Sequence, residues 1–156
     1  MAEMTAAERR QREGSLMQSA GPLTTSDKVT FFDLEAMPVL PVMTEDTADP
    51  ESAMIKIQAP VNHSDPSGYS LLCVRYAPGA VVPRHRHDVA QVVLVLDGEL
   101  WQGNRRFGPG AGYFTPAGSA YTVKAGPEGV RLVEFRHSPL TFETEWVGDA
   151  PSQLSD

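Results

Sequence analysis

The second half of the chain repeats one pattern, in which short apolar stretches are separated by turn residues. From Tyr69 onward, Gly, Pro or Asp stands between almost every pair of stretches. The stretches are GYSLLCVRYAPG, AQVVLVLDGELWQ, GYFTPAG, AYTVKAG and GVRLVEFRHS. Their length and spacing are typical of antiparallel strands rather than of helices. The sequence therefore predicts an all-β fold, with the strands arranged as a barrel or sandwich.

Two turns and one buried strand can be predicted within this pattern. Asp97-Gly98 is the signal of a two-residue hairpin, and Gln102-Gly103-Asn104 marks a second turn. Residues 92–96 are apolar at every position, so both faces of that strand require cover. We expect the barrel interior to cover one face and another sheet or a second subunit to cover the other, which predicts a homodimer.

The length of 156 residues is sufficient for one hydrophobic core. Residues 1–28 have balanced charge and few apolar side chains, and we interpret them as a mobile N-terminal arm. The alternative is an arm that crosses to a partner subunit. Residues 29–148 then form the barrel, and residues 149–156 form a C-terminal tail.

Composition excludes several classes of partner and site. Thirteen Lys and Arg against 20 Asp and Glu give a net charge of −7, which is unfavourable for nucleic-acid binding. Cys73 is the single cysteine, so the chain forms neither an internal disulfide nor a cysteine-based zinc site. No apolar run approaches the roughly 18 residues that cross a bilayer. The N-terminal residues also lack the apolar stretch of a signal peptide, so we predict a cytoplasmic protein with no membrane partner.

Three polar residues are predicted to share the inner face of two adjacent strands. His85 and His87 lie two positions apart, and alternation along a strand places both side chains on the same face. Gln91 joins that face if the residues between form only a tight bend. Polar groups inside an apolar barrel need a partner, and a metal ion is the partner that imidazole and amide groups suit.

The segment around these residues resembles the first motif of the cupin superfamily. That motif has a Gly, five residues, His-x-His, three or four residues, Glu, six residues and Gly. Gly79, His85, His87 and Gly98 fit at that spacing, whereas Gln91 occupies the Glu position.

A second cupin motif follows, with a Gly, five residues, Pro-x-Gly, two residues and His. Gly110, Pro116 and Gly118 fit, and Tyr121 stands where the motif has His. The resemblance covers about residues 69–137. It implies a small antiparallel jelly roll, that is, a double-stranded β-helix, plausibly beginning at residue 29.

The resemblance also implies a metal site. Cupins typically hold a divalent transition metal such as Fe, Mn, Ni or Zn, and the ligands expected here are His85, His87, Gln91 and Tyr121. Three roles remain open for Tyr121: a phenolate ligand, a protonated group that carries a proton during catalysis, or a residue that lines or fills the barrel.

The resemblance implies three alternative functions for this barrel. The first is a dioxygenase-type enzyme acting on a diketone or an oxygenated aromatic. Because the motif's Glu and its third His are both replaced, a non-redox lyase, isomerase or polyketide cyclase is the alternative. The third hypothesis is a cupin that binds a small molecule without catalysis.

A few other polar residues have weaker claims to a functional role. His137 lies in phase with Phe135, and this phase could turn it inward near the barrel mouth. His63 lies in a loop that could border the pocket. Arg84 and Arg86 flank the histidines on the opposite strand face, where they would meet solvent or an interface, or steer an anionic substrate.

Overall fold

The computed structural model describes residues 29, 31–42, 49–62, 68–138 and 144–148. They contain a 3-10 helix, Pro50–Ser52, and strands but no α-helix. The strands are β1 (Leu40–Pro41), β2 (Ile55–Asn62), β3 (Ser70–Tyr76), β4 (Val81–His87), β5 (Gln91–Gln102), β6 (Arg105–Phe107), β7 (Gly112–Thr115), β8 (Tyr121–Arg136) and β9 (Thr144–Trp146). The predicted all-β class is confirmed. The predicted arm (1–28), the tail (149–156) and His63 lie outside the described residues, which include no helix able to cross a bilayer.

The two longest strands, β5 and β8, organise the sheet. They pair antiparallel along almost their whole length. On its other edge β8 pairs first with β4 and later with β3. β2 and β1 continue the sheet beyond β3, β9 continues it beyond β4, and β6 and β7 pair with β5. One strand pair is thus shared by two halves of a sheet, which curl around a common interior as an antiparallel jelly roll does.

The hydrophobic core lies inside this curl. Its most buried large side chains include Val93, Val95, Leu100 and Leu132, each at most 1% exposed. Three of them lie on β5 and one on β8, the two longest strands. The interior is therefore built largely by this strand pair, which also carries Gln91, Glu134 and Arg136.

β5 passes through Asp97 and Gly98 without turning, so the hairpin predicted there is wrong. Gly98 does adopt a positive φ of 78°. The register against β8 shifts on both sides of it, which makes the position an irregularity within a continuous strand. A Cβ atom on Gly98 would lie 2.3 Å from the carbonyl oxygen of Gly129, so only glycine fits this close approach of the two backbones.

The second predicted turn is confirmed. β5 and β6 form a hairpin in which Gln102 faces Arg105. Gly103 lies in the turn with a φ of 59°, a conformation that glycine adopts without strain.

β8 joins two stretches that the sequence predicts as separate strands, and its inward side changes along its length. Val123 and Ala125 are buried in its first part, whereas Leu132 and Arg136 are buried in its second. The change from odd to even positions falls across residues 126–129. His137 therefore lies on the outer, exposed side, so the inward orientation considered for it is wrong.

The outer face of the sheet has a covered part and an uncovered part. Over β2, Gln58 Nε2 donates to the backbone carbonyls of Leu34 (2.6 Å) and Met37 (2.9 Å), so residues 34–37 pack there. Over β5, β7 and the end of β8, five apolar side chains remain 39–63% exposed. We call these residues the apolar outer face: Val92, Leu94, Leu96, Phe114 and Phe135.

Candidate functional site

A cavity of about 130 Å³ lies inside the barrel. Its wall is mostly apolar and includes Val42, Ile55, Ile57, Leu72, Val74 and Val82. Two imidazoles, one carboxylate and one guanidinium share that wall: His85, His87, Glu134 and Arg136. An apolar cavity of roughly 150 Å³ holds a molecule of benzene. The cavity therefore suits a small ligand whose polar atoms meet these four side chains.

β4 turns both histidines inward. They are 5% and 8% exposed, whereas Arg84 and Arg86 between and beside them point outward. A register shift against β8 between Val82 and His85 lets these two residues face the same interior although they are three positions apart. The histidines thus occupy the shared inner face that their spacing predicts.

Each of the two imidazoles has a hydrogen-bond partner at its Nδ1 atom. His85 Nδ1 lies 2.7 Å from the Pro83 carbonyl oxygen, which can only accept, so Nδ1 carries the proton. Burial lowers the pKa of His85 and favours the neutral ring, whose Nε2 then has a lone pair. His87 Nδ1 lies 3.2 Å from the Thr144 hydroxyl oxygen. The two ring centroids are 5.0 Å apart.

Gln91 is buried on the same inner face, at the start of β5, but its amide already has partners. Its Oε1 accepts a hydrogen bond from Arg136 Nε at 3.1 Å. Its Nε2 donates to the hydroxyl oxygen of Tyr121. The only atom through which an amide commonly binds a metal, its oxygen, is therefore held by a guanidinium group.

Tyr121 lies opposite His85 in the pairing of β4 with β8. The ring centroids of the two residues are 4.5 Å apart. Burial raises the pKa of Tyr121, so its hydroxyl is protonated at neutral pH. Since the oxygen accepts from Gln91, the hydroxyl proton remains available for another acceptor.

Glu134 and Arg136 form a buried ion pair that sequence reasoning missed. Arg136 Nη2 donates to Glu134 Oε2 at 2.5 Å, and the two residues are 2% and 8% exposed, respectively. They lie two positions apart on β8, which is the same spacing that identified the histidines on β4. The sequence carries this signal, but the inward orientation considered for His137 would turn the even-numbered residues of the strand outward.

The remaining candidates lie on the outside. Arg86 forms an ion pair at 2.5 Å with Glu145 of β9, and both side chains are exposed. The His137 ring stacks on Tyr69, with centroids 4.7 Å apart. The structure does not bring these residues together with the histidine pair.

Comparison with known protein families supports the resemblance to cupins that the two sequence motifs indicate. The model of the ChrR cupin-like domain matches residues 51–141, which is more than half of the chain. The chain belongs to this cupin family. No curated protein matches it.

Solved structures with the same fold include several other cupins. An RmlC-like cupin from Ralstonia eutropha superposes with a TM-score of 0.59 at 16% identity, covering 78% of this chain and 74% of that chain. The polyketide cyclase RemF from Streptomyces resistomycificus gives 0.54 at 19% identity, over 63% and 74% of the two chains. KdgF from Halomonas gives 0.53 at 19% identity, over 70% and 94%. At these identities the likeness shows the fold alone.

The donor set of this cupin fits a divalent metal in part. Its two histidines fit, because a neutral imidazole whose Nδ1 proton is tied to a backbone carbonyl presents Nε2 to a metal. Gln91 fits less well, because Arg136 occupies its oxygen. Within the described ranges, no three His, Cys, Asp or Glu side chains are already grouped to hold an ion. Metal binding therefore stays a prediction that centres on His85 and His87.

Proposed function

We propose that this cupin is a metal-dependent enzyme of the dioxygenase type. The observation that supports this most is the pair of buried imidazoles on the cavity wall, with the proton of His85 held on Nδ1. His85 and His87 would hold a divalent Fe, Mn, Ni or Zn ion. Bound there, the ion would supply Lewis acidity and, if redox-active, reactivity toward O2.

The cavity limits the substrate to a small molecule with an apolar body. A volume of about 130 Å³ accepts a short diketone or a single oxygenated aromatic ring. The apolar wall would pack against the carbon skeleton, and the polar side chains would orient the oxygen atoms. In the proposed reaction both atoms of O2 enter the substrate as a carbon–carbon bond breaks, so no external reductant is needed.

A second candidate is a non-redox lyase, isomerase or polyketide cyclase. It is favoured by Tyr121, which is protonated, packs against His85 and receives a hydrogen bond from Gln91. A phenol held in this way can donate a proton to a substrate oxygen or carbon. In this reading Tyr121 is the catalytic acid and O2 is not consumed.

Metal analysis followed by O2 uptake separates these candidates. We expect protein purified without added metal to contain close to one divalent transition metal per chain. With a panel of small diketones and catechols, a dioxygenase consumes one O2 for each substrate molecule lost. Substrate loss without O2 uptake would instead indicate the lyase or cyclase. Thermal stabilisation by a compound that is never converted would indicate a binding protein without catalysis.

The apolar outer face supports a further expectation, that two copies associate as a homodimer. Val92 on β5 is the register partner of Phe114 on β7 and of Phe135 on β8, so the exposed side chains are contiguous across three strands. A contiguous apolar sheet surface of this kind is typical of an interface. In a dimer with a two-fold axis, the apolar outer face of one copy would pack against the same face of the other copy.

A further inference from the structure

Glu134 places a buried carboxylate on the wall of the same cavity as the two histidines. Among the described residues that line the cavity, Glu134 is the only acidic one. Glu134 pairs in register with Leu72 of β3 and with Val93 of β5, so it extends from the middle of the sheet. The carboxylate is therefore buried inside the barrel.

The ion pair with Arg136 does not explain by itself why two charges are buried here. Removing a carboxylate and a guanidinium from water costs free energy that their attraction often only balances, and apolar side chains would fill a barrel equally well. A ligand that uses one of the two groups would explain their presence at the cavity.

Gln91 and Glu134 both contact Arg136. The residue at the motif's acidic position, Gln91, offers its oxygen to Arg136 Nε, while the carboxylate is supplied from β8. We propose that Glu134 is the third protein ligand of the divalent metal, together with His85 and His87. This inference rests on the proposed function, and it gives the two-histidine, one-carboxylate donor set that suits non-haem Fe(II) oxygenases.

Binding in this way requires Glu134 to change partners. In the structure its carboxylate is held by Arg136 at 2.5 Å, and no three-ligand cluster is preformed among the described residues. Rotation of the Glu134 side chain toward the histidines would break that contact and leave Arg136 bonded to Gln91. Arg136 and a bound metal would therefore compete for the Glu134 carboxylate.

Cobalt titration of the full chain tests this assignment. Co²⁺ affinity is measured by competition with a chelator, and the visible Co²⁺ spectrum reports the ligand set. We expect Glu134→Gln to weaken Co²⁺ binding by more than about 100-fold, beyond the usual effect of losing a supporting hydrogen bond, and to change the spectrum. Glu128→Gln, the same substitution at an exposed position of β8, is the matched control and keeps both the affinity within about tenfold and the spectrum.

A second variant covers the case in which Glu134→Gln does not fold, since it leaves the Arg136 charge buried without its partner. Glu134→Leu with Arg136→Met removes both charges, and we expect the same loss of Co²⁺ binding. Folded variants of either kind that bind Co²⁺ like the wild type would overturn the assignment while leaving the proposed function intact. A wild-type chain that binds Co²⁺ no better than a His85→Ala, His87→Ala variant would overturn both.

Discussion

Strand β4 and the second part of β8 each place two polar side chains in the cavity wall, but the hydrogen-bond partners of these side chains differ. Each contributes two polar residues two positions apart, His85 and His87 from one strand and Glu134 and Arg136 from the other. On β4, burial favours neutral His85, and its ring bonds to a backbone carbonyl. On β8 the two groups bond to each other. The β4 pair can therefore accept a cation without losing a contact, whereas the β8 pair must first separate.

The largest expected effect comes from removing the β4 pair. We expect His85→Ala with His87→Ala to reduce the metal content from close to one per chain to none, because these two are the imidazoles that line the cavity within the described part of the chain. A chelator should then no longer lower the melting temperature, since stabilisation by mass action is lost. Elemental analysis and thermal unfolding measure both effects.

The matched control lies on the other face of the same strand. Arg84→Ala with Arg86→Ala changes two outward residues and should leave the metal content unchanged. Equal metal content in the double histidine variant and the wild type would show that β4 does not form the metal site.

The sequence predicts the inward side chains of β4 but not those of β8. On β4 the spacing of the histidines and the motif around them predict the inward face correctly. On β8 the same reasoning fails, because a backbone irregularity across residues 126–129 changes which positions face inward. The partner of Gln91 could not be predicted either, since Arg136 is 45 positions away and its contact depends on the pairing of β5 with β8.

The next largest effect is expected at Tyr121, on the first part of β8. Tyr121→Phe removes the hydroxyl that accepts from Gln91. If this protonated phenol carries a proton in the reaction, as we expect, turnover falls by about two to four powers of ten while the metal content stays constant.

Tyr113→Phe is the control for this change, because burial also raises the pKa of Tyr113 and its ring lies 6.1 Å from that of Tyr121. A Tyr121→Phe enzyme with wild-type turnover would reduce Tyr121 to a packing residue. Loss of a visible charge-transfer band together with metal would identify it as a phenolate ligand instead.

The contrast between the two strands also predicts a difference in stability. Without metal, Arg136→Met leaves Glu134 buried without its ionic partner, which should lower the free energy of unfolding by about 3–5 kcal/mol. Replacing both members, Glu134→Leu with Arg136→Met, should restore most of this loss. Urea unfolding of the metal-free proteins measures the difference, and a double variant as unstable as the single one would contradict this account of the pair.

The smallest expected change concerns the outward sides of the strands. β4 carries exposed arginines there, whereas β8 carries Phe135 within the apolar outer face. We expect Phe135→Glu to halve the mass measured by light scattering, because it places a charge in the proposed dimer interface. Arg84→Glu on β4 is the control and should leave the mass unchanged. A wild-type mass near 16.9 kDa at all concentrations would rule out the dimer.

Because of the backbone irregularity in β8, the number of residues between Ala125 and Val130 determines which later side chains face the barrel interior. Even-numbered residues face inward after residue 129, so deleting one residue between Ala125 and Val130 would shift every later position by one. Val133, Phe135 and His137 would then face the interior in place of Leu132, Glu134 and Arg136. A one-residue deletion at this point would thus replace an ion pair by an aromatic ring and an imidazole in a single evolutionary event.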